Sequence, residues 1–346
     1  MLSSILKKTE DILKTTVLFV VDVGMSLLWF IDKVTDFSAK ELTHFSKKFL
    51  LSIVVGLSFI FLGYFMYSGY LTQIADYIFV SKPPQTQIIL SYPYKAKYLP
   101  NPEISAKSVI AVDREKGTVL FEKNSNEKLA PASTAKLLTA LVVLDLYKPY
   151  DELNVPKECT QVEGTKAGLP EKSVFKVRDL VYSMLVGSIA DAACVLASGK
   201  VSNGAFVNLM NQKLSSLGLK STHLSNPIGL DGINGENYSS ALDLYKLAIY
   251  ATSVPDIKLA VRSPSYVLRS VDGKYSGTVY STNRFLWEVP NTVGIKTGTT
   301  VGAGEVLIYE YNDGLKDIII VVMGSADRFS DTKIILNWIL KSYKWK

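Results

Sequence analysis

The chain has 346 residues, 48% of them hydrophobic and 20% charged, and carries a formal net charge of +6. That is enough apolar sequence for the core of one large domain or two small ones, and too much for global disorder. Its lysines and arginines form no cluster interleaved with aromatics, which argues against nucleic acid and for a mildly basic protein at an anionic surface.

Residues 1–48 form an N-terminal segment with seven lysines: Lys7, Lys8, Lys14, Lys33, Lys40, Lys47 and Lys48. Within it, Val17–Ile31 is apolar but interrupted by Asp22. A carboxylate is expensive inside a bilayer, so this stretch reads as an interfacial or packed helix, with a second membrane span as the alternative. Residues 49–75 contain no charged side chain. About 20 apolar residues cross the hydrocarbon layer, so this is the expected transmembrane anchor. Tyr64, Tyr67 and Tyr70 suit an interfacial belt, and the preceding lysines place the N-terminus in the cytoplasm and the chain beyond about residue 76 outside. The span starts too far into the chain for an ordinary signal peptide and reads as an uncleaved single-pass anchor. Residues 76–103 hold Pro83, Pro84, Pro93, Pro100 and Pro102 and read as a stiff spacer.

The remaining residues, 104–346, read as one globular domain. Ser108–Asp113 and Thr118–Glu122 pair around the turn Arg114–Gly117. The stretch Pro131-Ala-Ser-Thr-Ala-Lys136 then opens an apolar helix. Ser133 and Lys136 stand at helical i, i+3 spacing, so hydroxyl and amine share one face. A lysine whose pKa is lowered by burial or by a second cation can take the proton of a serine nucleophile. The same Ser-x-x-Lys spacing occurs at Ser4, Ser125, Ser173 and Ser330, where an exposed serine and a solvated lysine are the simpler reading. Residues 150–175 read as loop and short strand. Asp179 is expected to cap one buried helix running through Leu180–Ala197. A helix over 204–217 ends at Gly218. A turn-rich loop, Ser225–Gly232, leads to a helix over Ser240–Ala251, and 265–282 reads as strands. The segment Gly294-Ile-Lys-Thr-Gly298 precedes a hairpin of Val306–Tyr311 and Ile318–Met323 around Asn312-Asp-Gly314. An amphipathic helix over Asp331–Leu340 closes the chain. Strand, several helices, strands and a helix in this order give an α+β or three-layer fold.

The sequence has two histidines, His44 and His223, and two cysteines, Cys159 and Cys194. A Ser-His-Asp enzyme would depend on His223, and no Gly-x-Ser-x-Gly elbow accompanies it. The cysteines lack metal-ligand spacing, and neither metal nor organic cofactor is implied. They read as buried free thiols, with a disulfide as the less favoured alternative.

Taken together, PASTAKLLTA, GLKSTHLSNPIGLDG with NYSSALDL, STNRFLW, VGIKTGTTVGAG and VVMGSADRFSD resemble the D-alanyl-D-alanine carboxypeptidases. These are the low-molecular-weight penicillin-binding proteins, serine peptidase family S11. The likeness covers roughly residues 103–342. It implies a penicillin-binding/β-lactamase-like transpeptidase domain, with an antiparallel sheet flanked by helices plus a helical subdomain, behind an N-terminal transmembrane helix. It implies a peptidoglycan stem peptide ending in D-Ala-D-Ala as substrate and β-lactams as covalent inhibitors. Ser133 would be the nucleophile and Lys136 its base. Lys296 would help keep Lys136 neutral, and Ser188 would relay protons. Thr297, Thr299 and Arg328 would bind the substrate carboxylate, while Gly298 would let the substrate backbone come close. The N–H groups of Ser133 and Thr299 would form an oxyanion hole. One position departs from the family pattern: in Ser188-Ile-Ala-Asp-Ala192, Ala190 replaces the asparagine of Ser-x-Asn. That change implies weakened acylation, altered specificity, or an inactive relative that binds cell-wall peptide or a partner. A β-lactamase, the third reading, needs a deacylating carboxylate. Glu163 and Glu171 are the nearest candidates, and nothing around them singles them out. His223, Asn226, Asn283 and Arg284 are expected to be structural.

Overall fold

The computed structural model describes residues 44–79, 93–232 and 236–345, together with Asp22, Met25, Trp29 and Asp32. Two compact units result, Met1–Ile88 and Ile89–Lys346. In the first, α1 (His44–Phe79) is one 36-residue helix. Its Leu51–Gly69 stretch is long and apolar enough to cross a membrane, and none of it is buried. The Ser58 hydroxyl donates to the Val54 carbonyl at 2.8 Å, a bond that satisfies it without water. Of the Val17–Ile31 stretch only Asp22, Met25 and Trp29 are described, each helical and exposed. The rest of it, and Pro83 and Pro84 of the spacer, lie outside the described residues.

The second unit is built on a five-stranded antiparallel sheet. Its strands are β2 (Ser108–Asp113), β3 (Val119–Lys123), β8 (Thr292–Thr300), β9 (Gly304–Asn312) and β10 (Asp317–Ser325), in spatial order β3-β2-β10-β9-β8. Strand β10 lies in the middle and is apolar on both faces, as a strand covered on both sides must be. Ile318, Ile320 and Val322 pack with Val109, Ala111, Leu307 and Tyr309 against α10 (Arg328–Ser342), through its Ile335, Leu336, Trp338 and Ile339. Ile319 and Val321 face the opposite way, into the larger core with Ile110, Val112 and Ile308. That core holds α2 (Lys136–Leu146), α4 (Val177–Val186), α5 (Ala190–Ser198), α6 (Asn203–Ser216), α7 (Ala241–Ser253) and α8 (Pro255–Arg262). Each fully buried Leu or Ile contributes roughly 1.5–3 kcal/mol. Smaller pieces complete the unit: the short helices α3 (Lys157–Thr160) and α9 (Phe285–Glu288), and the hairpins of β4 (Glu152–Asn154) with β5 (Val174–Lys176) and of β6 (Ser265–Arg269) with β7 (Ser276–Tyr280).

The domain begins earlier than the spacer reading put it. β1 (Tyr94–Lys95) pairs with β11 (Tyr343–Lys344), and Trp338 Nε1 donates to the Pro100 carbonyl at 2.7 Å. The end of the Pro-rich stretch is therefore packed on the last helix. Prolines in extended backbone look the same in sequence whether free or docked.

Two further expectations are corrected. The single helix through Leu180–Ala197 is two helices, α4 and α5, separated at Gly187–Ile189, where Ser188 takes φ +59°. Asp179 lies in the first turn of α4 without capping it, and accepts from the Tyr266 hydroxyl at 2.5 Å. The cysteines are not free thiols: Cys159 and Cys194 form a disulfide, with Cα atoms 5.4 Å apart across 35 residues of sequence. It fastens α3 to α5, a contact made by tertiary packing and invisible in the spacing of the cysteines.

Candidate active site

A 3₁₀ turn, Ala132–Ala135, precedes α2 and carries Ser133 half-exposed. Ala132 sits at φ +49°, in the sparsely occupied region where non-glycine residues are uncommon and often functional. One turn on, Lys136 Nζ donates to Ser133 Oγ at 2.8 Å and to the Ile228 carbonyl at 2.6 Å. Lys136 is 1% exposed. Burial pulls its amine down from 10.5 to about 7, because a low-dielectric site disfavours the charged form. The expected i, i+3 pair is thus in place, with its amine poised between charged and neutral at neutral pH.

The loop carrying Ile228 is itself held. Thr139, three residues past Lys136, donates to the Pro227 carbonyl at 2.7 Å. Asn226 Oδ1 accepts the N–H groups of Ile228, Gly229 and Leu230 at 3.2, 2.8 and 3.1 Å. Asn226 therefore sets the carbonyl that orients the Lys136 amine. His223 is fixed by reciprocal backbone bonds with Tyr238 at 2.9 and 3.0 Å.

Edge strand β8 brings the second amine. Lys296 pairs in register with Ile308, so both side chains share the sheet face toward the helices. Lys296 is 1% exposed, and its Nζ donates to Ser188 Oγ at 2.8 Å and to the Thr297 carbonyl at 3.0 Å. Its pKa lies well below 10.5, chiefly through burial, then through the nearby Lys136 and Arg328. Among the described residues no carboxylate pairs with either amine. Each is held by one hydroxyl and one backbone carbonyl.

Gly298 is closely hemmed in by the protein itself. A Cβ there would come within 2.8 Å of the Ala132 Cβ and 2.9 Å of the Ser133 nitrogen. It lets β8 lie against the turn that carries Ser133. Thr297 is buried, its hydroxyl engaged with that of Thr282 at 2.5 Å, while Thr299 is exposed. Arg328, at the start of α10, donates from Nη1 to the Gly298 carbonyl at 2.9 Å and to Thr299 Oγ1. Its Nε is buried 4.0 Å from the Glu305 carboxylate, beyond hydrogen-bond reach. Arg328 therefore grips the end of β8 and supplies positive charge beside Thr299.

Ala190, fully buried, opens α5. Its N–H donates to the Thr165 carbonyl at 2.6 Å. A Cβ on Gly164 would stand 3.3 Å from the Ala190 Cβ. Asp191 accepts the N–H groups of Ala167, Gly168 and Leu169 at 3.2, 2.9 and 3.1 Å. With the disulfide, these bonds seat the 160–169 loop on the start of α5. Glu163 is exposed on this loop, and Glu171 lies exposed just beyond it. Among the described residues no group of three or more His, Cys, Asp or Glu side chains could hold a metal ion.

The profile of the D-alanyl-D-alanine carboxypeptidases, Peptidase S11, matches residues 95–327. A D-alanyl-D-alanine carboxypeptidase of Bacillus subtilis, DacF, is 30% identical over 251 residues, 69% of this chain and 63% of that protein. The match thus spans less than two thirds of that relative's length. A D-alanyl-D-alanine endopeptidase of Pseudomonas aeruginosa is 29% identical over 278 residues, 76% of this chain and 86% of the relative. The solved DD-transpeptidase of Streptomyces K15 aligns with a TM-score of 0.65 at 28% identity, covering 70% of this chain and 100% of that structure.

Proposed function

The chain belongs to the D-alanyl-D-alanine carboxypeptidase family, the serine peptidases S11, and from this premise we propose that it is a membrane-anchored carboxypeptidase that removes the terminal D-alanine of peptidoglycan stem peptides through an acyl-enzyme. The observation that carries the reading is the 2.8 Å contact between Ser133 Oγ and a buried amine whose pKa is about 7. Neutral Lys136 takes the Ser133 proton as Oγ bonds to the peptide carbonyl carbon. The C–N bond to the last D-alanine then breaks, and Lys136 returns the proton to the leaving nitrogen. Water attacks the ester with Lys136 again as base, freeing the shortened peptide and Ser133. Lys296, held by Ser188, keeps a second positive charge or dipole beside the pair. Thr297, Thr299 and Arg328 supply the hydroxyls and charge that an anionic substrate end requires. Backbone donors at Ser133 and Thr299 would be worth roughly 2.7–4 kcal/mol each to the developing oxyanion.

The Leu51–Gly69 helix is the proposed anchor. The lysines before it favour a cytoplasmic N-terminus. The Cys159–Cys194 disulfide fits an oxidising compartment and so a catalytic domain outside the membrane.

Fluorescent penicillin and a D-Ala-D-Ala pentapeptide, applied to the full chain in detergent, test the activity. We expect covalent labelling and release of D-alanine by wild type and neither by Ser133→Ala. A folded wild type that neither labels nor releases D-alanine overturns the peptidase reading and favours the binding-only relative that Ala190 suggests.

A further inference from the structure

The end of β8 is gripped from two sides. On one side Arg328 holds Gly298 and Thr299, as described above. On the other is Asp231, which the reaction above does not use. Its Oδ1 accepts from Thr300 Oγ1 at 2.5 Å and its Oδ2 from the Gly302 N–H at 2.8 Å. Thr300 Oγ1 in turn accepts from the Ala303 N–H at 3.0 Å. These bonds span 69 and 71 residues of sequence, so they tie separate elements together and do not cap a local turn. Asp231 is exposed and gains little from burial, so what it contributes lies in these two bonds.

Asp231 belongs to the loop that holds Lys136. Ile228, three residues earlier, provides the carbonyl on the Lys136 amine. Leu230, its neighbour, is fixed through its carbonyl by the side chains of Asn226 at 3.1 Å and of Asn237. The strand it clasps carries Lys296, Thr297 and Thr299. One carboxylate thus links the loop that orients the base to the strand that offers the carboxylate-binding and oxyanion groups. Val301, at the tip of the turn between the bonded residues, is fully exposed and makes no packing contact that could fix the turn instead.

We propose that Asp231 is a positioning residue, a clasp that fixes the distance between the Lys136-holding loop and the Thr299 end of β8 for acylation. The inference rests on the peptidase reading. Without the clasp the β8–β9 turn is free to lift, and Thr299 moves relative to Ser133. Displacements of about 1 Å at such groups can cost up to about a hundredfold in rate. The bonds, and not the charge, do this work. An asparagine can restore both, its Oδ1 accepting from Gly302 and its Nδ2 donating to Thr300 Oγ1.

The test uses the full chain in detergent and compares wild type, Asp231→Ala, Asp231→Asn and Thr300→Val. Penicillin acylation rates and pentapeptide kcat and KM are measured, alongside amide hydrogen exchange across 299–303. For Asp231→Ala we expect about tenfold slower acylation, a loss mainly in kcat, and faster exchange in the turn. Asp231→Asn should stay within about threefold of wild type, and Thr300→Val should fall between them, since one of its two bonds remains. Asp231→Ala acylating at the wild-type rate overturns the clasp while leaving the peptidase reading intact. So does Asp231→Asn failing as badly as Asp231→Ala, because charge would then be the cause. A wild type that is not acylated at all overturns the peptidase reading, and the clasp falls with it.

Discussion

Replacing Lys136 with methionine should stabilise the folded domain at neutral pH while abolishing acylation. The magnitude follows from the amine's displacement from 10.5 to about 7. At pH 7 an unfolded lysine is fully protonated and the folded one only half so. Forcing that proton balance costs the native state about 4 kcal/mol. The sign is that of a depressed lysine. The unfolded chain binds more protons between pH 7 and 10.5, so native stability rises with pH across this window and the cost fades to a few tenths near pH 10.5. Methionine fills a similar volume and has no such charge. It leaves the Ile228 carbonyl without its partner, which gives back roughly 1–3 kcal/mol. The net gain expected at pH 7 is about 1–3 kcal/mol. The sharper signature is in the pH dependence: wild type should gain about 4 kcal/mol on Lys136→Met between pH 7 and 10.5. Urea unfolding of residues 89–346, a compact unit, followed by tryptophan fluorescence at several pH values, reads both quantities. Parallel stability curves for the two proteins would show that the buried amine is not held near 7, and the base assignment would lose its physical support.

Three further outcomes are expected. Penicillin acylation should rise with pH through about 7, as Lys136 loses its proton, and flatten above; stopped-flow labelling from pH 5.5 to 9 checks this. Replacing Cys159 and Cys194 with serine opens a 35-residue loop and should cost about 4 kcal/mol on the chain-entropy estimate, seen as a lower urea midpoint. The same pair of substitutions should increase proteolytic nicking in the 160–169 loop, which the disulfide helps to seat on α5; equal nicking rates would show that the Asp191 bonds suffice.

The fold and the centre of the site were legible because they rest on local pattern. The hairpin around Asn312-Asp-Gly314 is β9 and β10, and Ser133 and Lys136 meet through i, i+3 spacing. Lys296, expected just before that hairpin, lies on the edge strand β8 beside it. What stayed hidden depends on tertiary placement. Ser188 breaks the expected long helix by taking a left-handed backbone, to which an apolar run around a serine gives no clue. Thr139 and Asp231 act on backbone groups of a distant loop or turn, and such partners leave no spacing rule. Gly298, marked for close backbone approach, also admits the turn that carries Ser133, a tertiary contact that leaves no mark in the sequence. The Asx-rich loop Ser225–Gly232 did carry a signal, since asparagine and aspartate there have to satisfy backbone N–H groups. It pointed to a turn and not to the lysine it serves.

Ala190 changes the proton count as well as the contacts. A lysine ammonium has three N–H donors, and Lys136 finds two acceptors among the described residues, Ser133 Oγ and the Ile228 carbonyl. A neutral amine has two N–H donors, which the same two acceptors satisfy; to act as base it turns its lone pair to the Ser133 hydroxyl. Lys296 likewise has two acceptors, Ser188 Oγ and the Thr297 carbonyl. An asparagine oxygen reaching Lys136, as the family pattern implies, would offer a third acceptor and favour the charged form. Its absence therefore favours the neutral amine, the form that the proposed mechanism needs. Ala190→Asn should move the pH midpoint of acylation upward from about 7. It should also cost roughly 1–3 kcal/mol of stability, because Ala190 is fully buried and a larger side chain must displace its neighbours. A midpoint that stays put or falls, in a variant that still folds, would mean that the amide does not reach the lysine. The alanine would then act on substrate alone.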